Sequence, residues 1–141
     1  MTSDECQCID MTNENIPAAG STTPPDFVSF QVRDREASAR FYEEFLGLTR
    51  LPAPNPAAVV FGSPDGAVAF AVRDPFPGVD LDAIGRLGAG VAVWFRTADA
   101  RALHASLAER GVEIVQEPVE GPFGTQFAVR DPDGYVVTLH S

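Results

Sequence analysis

The sequence contains an internal repeat, and this repeat restricts the possible folds more than any other feature. Residues 27–47 read FVSFQVRDREASARFYEEFLG, and residues 92–111 read AVWFRTADARALHASLAERG. In both segments an alternating apolar pattern typical of a strand leads to an aspartate, then to a helical pattern, and then to a glycine. The two aspartates, Asp34 and Asp99, are 65 residues apart. The chain is therefore predicted to fold as two similar units.

The aspartates and glycines mark the ends of one predicted helix in each unit. A carboxylate placed before the first turn accepts the unpaired backbone N–H groups there, so Asp34 and Asp99 are predicted N-caps. Gly47 and Gly111 fit the left-handed position that ends a helix. Apolar residues recur at helical spacing between these markers, at positions 37, 41 and 45 and again at 100, 103 and 107.

A turn motif repeats as well. Ser63-Pro64-Asp65-Gly66 and Asp131-Pro132-Asp133-Gly134 are predicted hairpin turns at an offset of 68 residues, and each lies between short runs rich in Val and Phe. With a further strand after each helix, each unit reads strand, helix, strand, strand, strand. One helix covers only one face of such a sheet. The predicted fold class is therefore α+β, with two βαβββ modules that form a curved mixed-sheet cup.

The charge distribution supports a division of the chain into four parts. We predict a flexible acidic tail (1–25), a first module (26–75), a connector (76–88) and a second module (89–141). Of the formal charge of −10, the predicted tail carries four acids and no base, which leaves −6 for the rest. Its two cysteines, Cys6 and Cys8, have no further ligands nearby and are interpreted as exposed thiols in a reducing compartment.

Composition excludes several classes of partner. The chain has 10 basic residues, all arginine, against 20 acidic ones, so it lacks the cations that nucleic-acid binding requires. No apolar stretch approaches the length that spans a bilayer. The first residues are acidic and do not resemble a secretory signal, so we expect no membrane association and a cytoplasmic location.

This pattern resembles the vicinal oxygen chelate superfamily, which includes glyoxalase I, extradiol dioxygenases and bleomycin-resistance proteins. The resemblance rests on Phe27–Asp34, on FYEEFLG at 41–47 and on DPDGY at 131–135. It covers residues 27–140 and is specific for the fold. It is weak for activity, because the superfamily includes several chemistries and some simple binding proteins.

The resemblance also implies four metal-ligand positions. Enzymes of the superfamily generally have a His seven residues before the capping Asp, where this chain has Phe27 and Ala92. They generally have a Glu four residues beyond the turn glycine, where this chain has Phe70 and Thr138. Phe and Ala offer no lone pair, and a single Thr hydroxyl is a poor ligand. We therefore expect no metal, no other cofactor and no catalytic residue, as in metal-free bleomycin-resistance-like proteins.

Residues in phase with these four positions share the cup face, because side chains alternate across a strand. They combine aromatic rings with a few hydrogen-bonding groups, which is typical of a small-molecule site. The predicted ligand-binding residues are Phe27, Ser29, Gln31, Phe70, Trp94, Phe123, Thr138 and His140.

Two of these predictions depend on additional features. Phe123 lies in the segment Glu117–Gly124, whose Gly and Pro content predicts a mobile rim loop. His140 has the strand parity of Thr138. An alternative stays open, in which Phe27 and Phe70 fill the former metal site and collapse the pocket.

Two main functional hypotheses follow. In the first, the chain is not an enzyme but a metal-independent protein of the antibiotic-resistance type that sequesters a flat aromatic or cationic compound. In the second, it is a glyoxalase- or dioxygenase-like lyase, isomerase or oxygenase with non-standard metal ligands. A regulatory module with an empty cup is a third possibility. The resemblance further implies a homodimer, and the sequence does not decide whether the modules pair within or between chains.

Overall fold

The repeat forms two units with the same order of elements. The computed structural model describes residues 19–63 and 65–141. The first unit consists of β1 (Val28–Gln31), α1 (Arg35–Glu44), β2 (Thr49–Leu51), β3 (Ala58–Gly62) and β4 (Val68–Arg73). The second consists of β5 (Val93–Arg96), α2 (Ala100–Glu109), β6 (Ile114–Gly121), β7 (Gly124–Arg130) and β8 (Val136–His140). The predicted α+β fold with two βαβββ modules is confirmed.

The segment between the modules contains one 3-10 helix, Leu81–Ala83. Most of the predicted tail, including Cys6 and Cys8, lies outside the described residues, and the predicted domain boundaries stay predictions. In the part of the chain that the structure describes, no helix is long and apolar enough to cross a membrane.

Each module forms one four-stranded mixed sheet. The strand order is β1-β4-β3-β2 in the first sheet and β5-β8-β7-β6 in the second. In each sheet the first strand runs parallel to the last strand of its module, and the other neighbours are antiparallel. The first and last strands of a module therefore lie side by side.

The predicted helix ends are confirmed. The Asp34 side chain accepts a hydrogen bond from the backbone N–H of Ala37 at 3.0 Å, and Asp99 accepts one from Ala102 at 3.1 Å. The glycines after the helices, Gly47 and Gly111, have φ angles of 75° and 84°, which L side chains rarely adopt. Local sequence chemistry alone thus determines where both helices begin and end.

A β-bulge in β4 corrects the predicted orientation of Phe70. In the second module Val136 pairs with Arg130 and the next residue, Val137, pairs with Val129. In the first module Val68 pairs with Gly62, but Phe61 pairs with Phe70, so one extra residue lies between the paired positions. This extra residue reverses the side-chain alternation that follows it. Phe70 therefore points towards the helix, not into the cup, and is only 4% exposed.

The two modules pack against each other through residues on the helix side of their sheets. The Phe30 ring stacks on Tyr135 with the ring centroids 4.1 Å apart, and the Phe70 ring lies edge-on to Phe95 at 5.2 Å. The centroid of the Tyr42 ring lies 4.9 Å from that of Phe70 and 6.1 Å from that of Phe95. The hydrophobic cores of the modules are thus one continuous core.

Two tyrosine hydroxyls add polar contacts between the modules. The Tyr42 hydroxyl donates to Oδ2 of Asp131 at 2.7 Å, and the Tyr135 hydroxyl donates to the backbone oxygen of Gln31 at 2.7 Å. Asp131 is only 5% exposed, and its Oδ1 accepts the backbone N–H groups of the turn residues 133–135. Burial raises the pKa of Tyr42 well above its usual value, so the hydroxyl keeps its proton and remains a donor. Asp131 therefore connects the turn of the second module to the first helix.

We expect Tyr42→Phe to lower the free energy of unfolding by about 1–3 kcal/mol, because it leaves a buried carboxylate oxygen without its donor. Urea unfolding measures this loss. Tyr135→Phe is the comparison, and we expect a smaller cost because the acceptor there is a neutral carbonyl.

The cost of Tyr42→Phe also depends on pH. Burial raises the pKa of Asp131, so its protonation stabilises the fold at acid pH, and this contribution is lost as the pH rises through the raised pKa. The hydrogen bond from Tyr42 favours the charged carboxylate, so its loss matters most above that pKa. We expect the cost of Tyr42→Phe to be smaller at about pH 4 than at about pH 7. Equal costs at the two pH values would contradict this role for Asp131.

Candidate functional site

Each sheet has a second face that does not pack on its helix, here called the open face. On the first sheet, Ser29 pairs with Ala71 and Gln31 pairs with Arg73. On the second sheet, Trp94 pairs with Thr138 and Arg96 pairs with His140. Because paired residues point to the same face, these eight side chains belong to the two open faces.

Three side chains form an aromatic cluster on the second open face: Trp94, Phe123 and His140. The Trp94 ring centroid lies 5.5 Å from that of Phe123 and 5.7 Å from that of His140, both edge-on, and Phe123 lies 6.0 Å from His140. His140 is buried, whereas Trp94 is 37% and Phe123 63% exposed. The cluster therefore presents aromatic surface to the outside above an imidazole.

Phe123 reaches the cluster from the tip of a hairpin. The predicted rim loop, Glu117–Gly124, is wrong for most of its length, because β6 continues to Gly121 and β7 begins at Gly124. Only Pro122 and Phe123 connect the two strands. A two-residue connection holds Phe123 in a fixed position relative to the sheet.

The hairpin also orients His140. Its Nδ1 lies 3.2 Å from the backbone oxygen of Phe123. Since a carbonyl oxygen only accepts, Nδ1 must donate in this contact, and Nε2 of the neutral ring is then an acceptor. The described residues form no hydrogen bond to Nε2. The imidazole thus offers a hydrogen-bond acceptor beside the aromatic surface.

The other predicted ligand-binding residues lie apart from this cluster. Phe27 and Ser29 are exposed on the first module, and the Gln31 side chain accepts a hydrogen bond from the backbone N–H of Phe76. Phe70 lies in the core. The structure therefore brings together Trp94, Phe123, Thr138 and His140, and it does not join Phe27, Ser29, Gln31 or Phe70 to them.

A cavity of about 360 Å³ lies at the other end of the second open face. The segment 84–91 forms one side of it, and Val136 and Arg130, which pair across β7 and β8, contribute from the sheet. Arg33, Val115, Asp133 and Gly134 complete the lining. The sequence pattern does not predict this cavity, because its lining comes from the connector region and from both modules. The glycines of the connector and its single Arg86 are the only sequence signal for it.

The residues at the implied ligand positions do not fit a divalent metal. Phe27 and Ala92 have no donor atom, and Thr138 has one hydroxyl. Because of the bulge, the counterpart of Thr138 in the first module is Ala71, which pairs with Ser29 as Thr138 pairs with Trp94, and it also has no donor. Within residues 19–63 and 65–141, no three His, Cys, Asp or Glu side chains lie close enough to hold a metal ion.

Comparisons with known proteins agree with this architecture. The model of the Glyoxalase/Bleomycin resistance protein/Dioxygenase superfamily matches residues 25–139. No curated protein sequence matches the chain significantly.

Solved structures extend the comparison. The crystal structure of TnmS3, an antibiotic binding protein from Streptomyces sp. CB03234, is similar over 84% of this chain and 95% of that one, with 28% identity and a TM-score of 0.65. A glyoxalase/bleomycin resistance protein from the same Streptomyces is similar over 84% and 100%, with 28% identity and a TM-score of 0.64. A glyoxalase-related enzyme from Fulvimarina pelagi, with 22% identity and a TM-score of 0.61 over 84% and 87%, shares the fold.

The placement of Phe70 predicts a difference between two phenylalanines that the sequence pattern treats alike. We expect Phe70→Ala to lower the free energy of unfolding by about 3–5 kcal/mol, because it opens a cavity in the joint core. Phe27→Ala, at a position 46% exposed, should cost less than about 1 kcal/mol. Urea unfolding of both variants checks this, and equal losses would contradict the register of β4.

Proposed function

The chain belongs to the glyoxalase/bleomycin resistance protein/dioxygenase superfamily, and on this premise we propose that it is a metal-independent cytoplasmic protein that sequesters a flat aromatic small molecule. The observation that carries the proposal is the aromatic cluster on the second open face. Trp94 and Phe123 present ring surface at right angles to each other, with centroids 5.5 Å apart. Such an arrangement allows a flat ligand to stack on one ring and contact the edge of the other.

Polar groups next to the rings supply directional contacts. Thr138 pairs with Trp94 and offers a hydroxyl, and His140 offers Nε2. Small-molecule sites commonly combine a mainly apolar lining with a few such groups. The cavity at the other end of the face adds volume into which a ligand can extend.

A solved relative supports the same class of function. TnmS3, with 28% identity over 84% of this chain, is described as an antibiotic binding protein. Binding without chemistry also agrees with the side chains at the implied metal positions, which include no metal donor stronger than one hydroxyl. We therefore propose a resistance-type role, in which binding removes a toxic compound from solution.

We further propose that a second copy of the chain covers part of both open faces. Large apolar side chains are exposed on or beside these faces in the single chain: Phe27, Val68, Val91, Trp94, Val115, Val119 and Phe123. Exposed apolar side chains that cluster on one face commonly mark an interface or a ligand site. A homodimer would close each cup between modules of two chains.

The binding proposal predicts that a neutral flat dye binds at the cluster. We expect N-phenyl-1-naphthylamine to increase in emission on binding and to quench Trp94, the single tryptophan of the chain. Phe123→Ala should weaken binding about fivefold or more, because one aromatic wall is lost. Val79→Ala, an exposed apolar residue outside the cluster, is the matched control and should have no effect.

Chelation distinguishes this proposal from the metalloenzyme alternative. Binding should be the same before and after treatment with EDTA. Stoichiometric Fe, Mn, Ni or Zn in the purified protein, together with loss of dye binding on chelation, would contradict metal independence and favour a lyase or dioxygenase.

The dimer proposal predicts the mass in solution. Light scattering after size exclusion should give twice the chain mass of 15.1 kDa at micromolar concentration. A mass of one chain across the accessible concentration range would show that the open faces are not covered by a second copy.

A further inference from the structure

Arginines predominate among the charged residues that line the cavity beside the second open face. Its charged lining residues are Arg33, Arg86, Arg130 and Asp133, which is three cations and one anion. Asp82 and Glu113 lie beside this lining and pair with Arg33 and Arg130, so the group as a whole has no net charge. The preference of the cavity for a ligand therefore depends on which guanidinium group lacks an acidic partner.

Arg33 does not supply the free positive charge, because acids already neutralise it. Its Nε lies 2.7 Å from Asp82, and its Nη1 lies 3.1 Å from Asp133. Asp133 also accepts the backbone N–H of Arg33 at 2.9 Å. This group of three residues fixes one wall of the cavity.

Arg130 is only partly neutralised. Its Nε lies 3.1 Å from Glu113, and its Nη1 donates to the backbone oxygen of Gly134 at 3.3 Å. The Glu113 side chain is 63% exposed, so water weakens this ion pair. The guanidinium therefore retains capacity for a further anionic partner.

Arg86 has no ion pair or side-chain hydrogen bond with the described residues, although it lines the cavity. The chain on both sides of it is anchored. Leu81 and Leu87 are buried in the core. Gly88 passes so close to Tyr135 that an added Cβ would lie 2.9 Å from the ring. An exposed arginine on an anchored segment is thus held at the cavity without a partner among residues 19–63 and 65–141.

The cavity and the aromatic cluster share one strand. Val136, Thr138 and His140 alternate along the open side of β8, and Val136 lines the cavity while His140 belongs to the cluster. At the rise of a strand, about 3.3 Å per residue, Val136 and His140 are about 13 Å apart. One elongated ligand of three fused or linked rings, with an acidic group at one end, approaches this length. One end of such a ligand would contact the aromatic cluster, and the other end would contact the arginines of the cavity.

From these observations we infer that the ligand carries an acidic group, a carboxylate, sulfonate or ionised phenol, which Arg86 binds with help from Arg130 while the aromatic body lies on the cluster. This inference rests on the proposed function, since it names the class of ligand for the same face. Charge-assisted hydrogen bonds from guanidinium to an oxyanion are among the strongest available to a binding site. A cationic compound would instead face repulsion at this end.

Two dyes with the same ring skeleton test the inference. 6-(p-Toluidino)naphthalene-2-sulfonate carries a sulfonate at one end of an elongated ring system, and N-(p-tolyl)-2-naphthylamine is its neutral counterpart. Both are titrated into the wild-type chain, Arg86→Gln, Arg86→Lys and Arg40→Gln. Arg40 is an exposed arginine on α1 with no ion pair to the described residues, so its variant controls for the loss of one positive charge.

We expect Arg86→Gln to weaken binding of the sulfonate dye about five- to tenfold and to leave the neutral dye unchanged. Arg86→Lys should recover most of the loss, because the charge is kept, and Arg40→Gln should affect neither dye. Trp94→Ala should weaken both dyes, which assigns them to the proposed face.

Other outcomes separate the two proposals. If Trp94→Ala weakens both dyes but Arg86→Gln weakens neither, or weakens both equally, the inference is overturned and the proposed function stands. If the wild-type chain binds neither dye, or binds both independently of Trp94, the proposed aromatic site fails and the inference fails with it.

Discussion

The docking of the two modules through the helix sides of their sheets determines which surfaces remain for function. Tyr42 and Asp131 are central to this docking, because burial of a carboxylate is costly unless its oxygens are hydrogen-bonded. Oδ1 is occupied by the turn of the second module and Oδ2 by the helix of the first. A displacement of one module relative to the other would leave this charge unpaired. Stacking of Phe30 on Tyr135 adds apolar area to the same contact.

Because the modules dock through the helix sides of their sheets, both open faces remain accessible. The two open faces carry different residues. The repeat makes Trp94 the counterpart of Ser29, and His140 the counterpart of Arg73. Arg73 lies over the Phe76 ring at 4.1 Å and is thereby occupied within the first module. Only the second module combines a Trp, a His and a hairpin-borne Phe. The same scaffold thus carries one face rich in aromatic surface and one face with mainly small or polar groups.

Features with local causes were predictable from the sequence. Asp34, Asp99 and the glycines after the helices act within one turn of chain, and the alternation of Trp94 and Thr138 follows from regular strands. The predicted orientation of Phe70 was wrong because one additional residue in β4 reverses the side-chain alternation of the residues after it. No residue type in this strand indicates a bulge. The cavity could not be predicted for another reason. Arg86, Arg130 and Asp133 come together only in the folded chain, when both modules and the connector are in place. Phe123 was predicted in the right region but with the wrong local structure, since Gly and Pro suit a tight hairpin as well as a loop.

The bulge in β4 has a consequence for how such a chain can change over evolutionary time. Deleting the single codon for Ala69 would remove the bulge and leave Phe70 paired with Phe61, so Phe70 would still face the helix and Ala71 the open face, as Val137 and Thr138 do in the second module. A one-residue insertion at the same place in β8 could likewise be accommodated as a bulge that leaves Thr138 and His140 on the open face. Strands of this kind can therefore gain or lose a residue near the turn while the residues that face a ligand and those that fill the core keep their places.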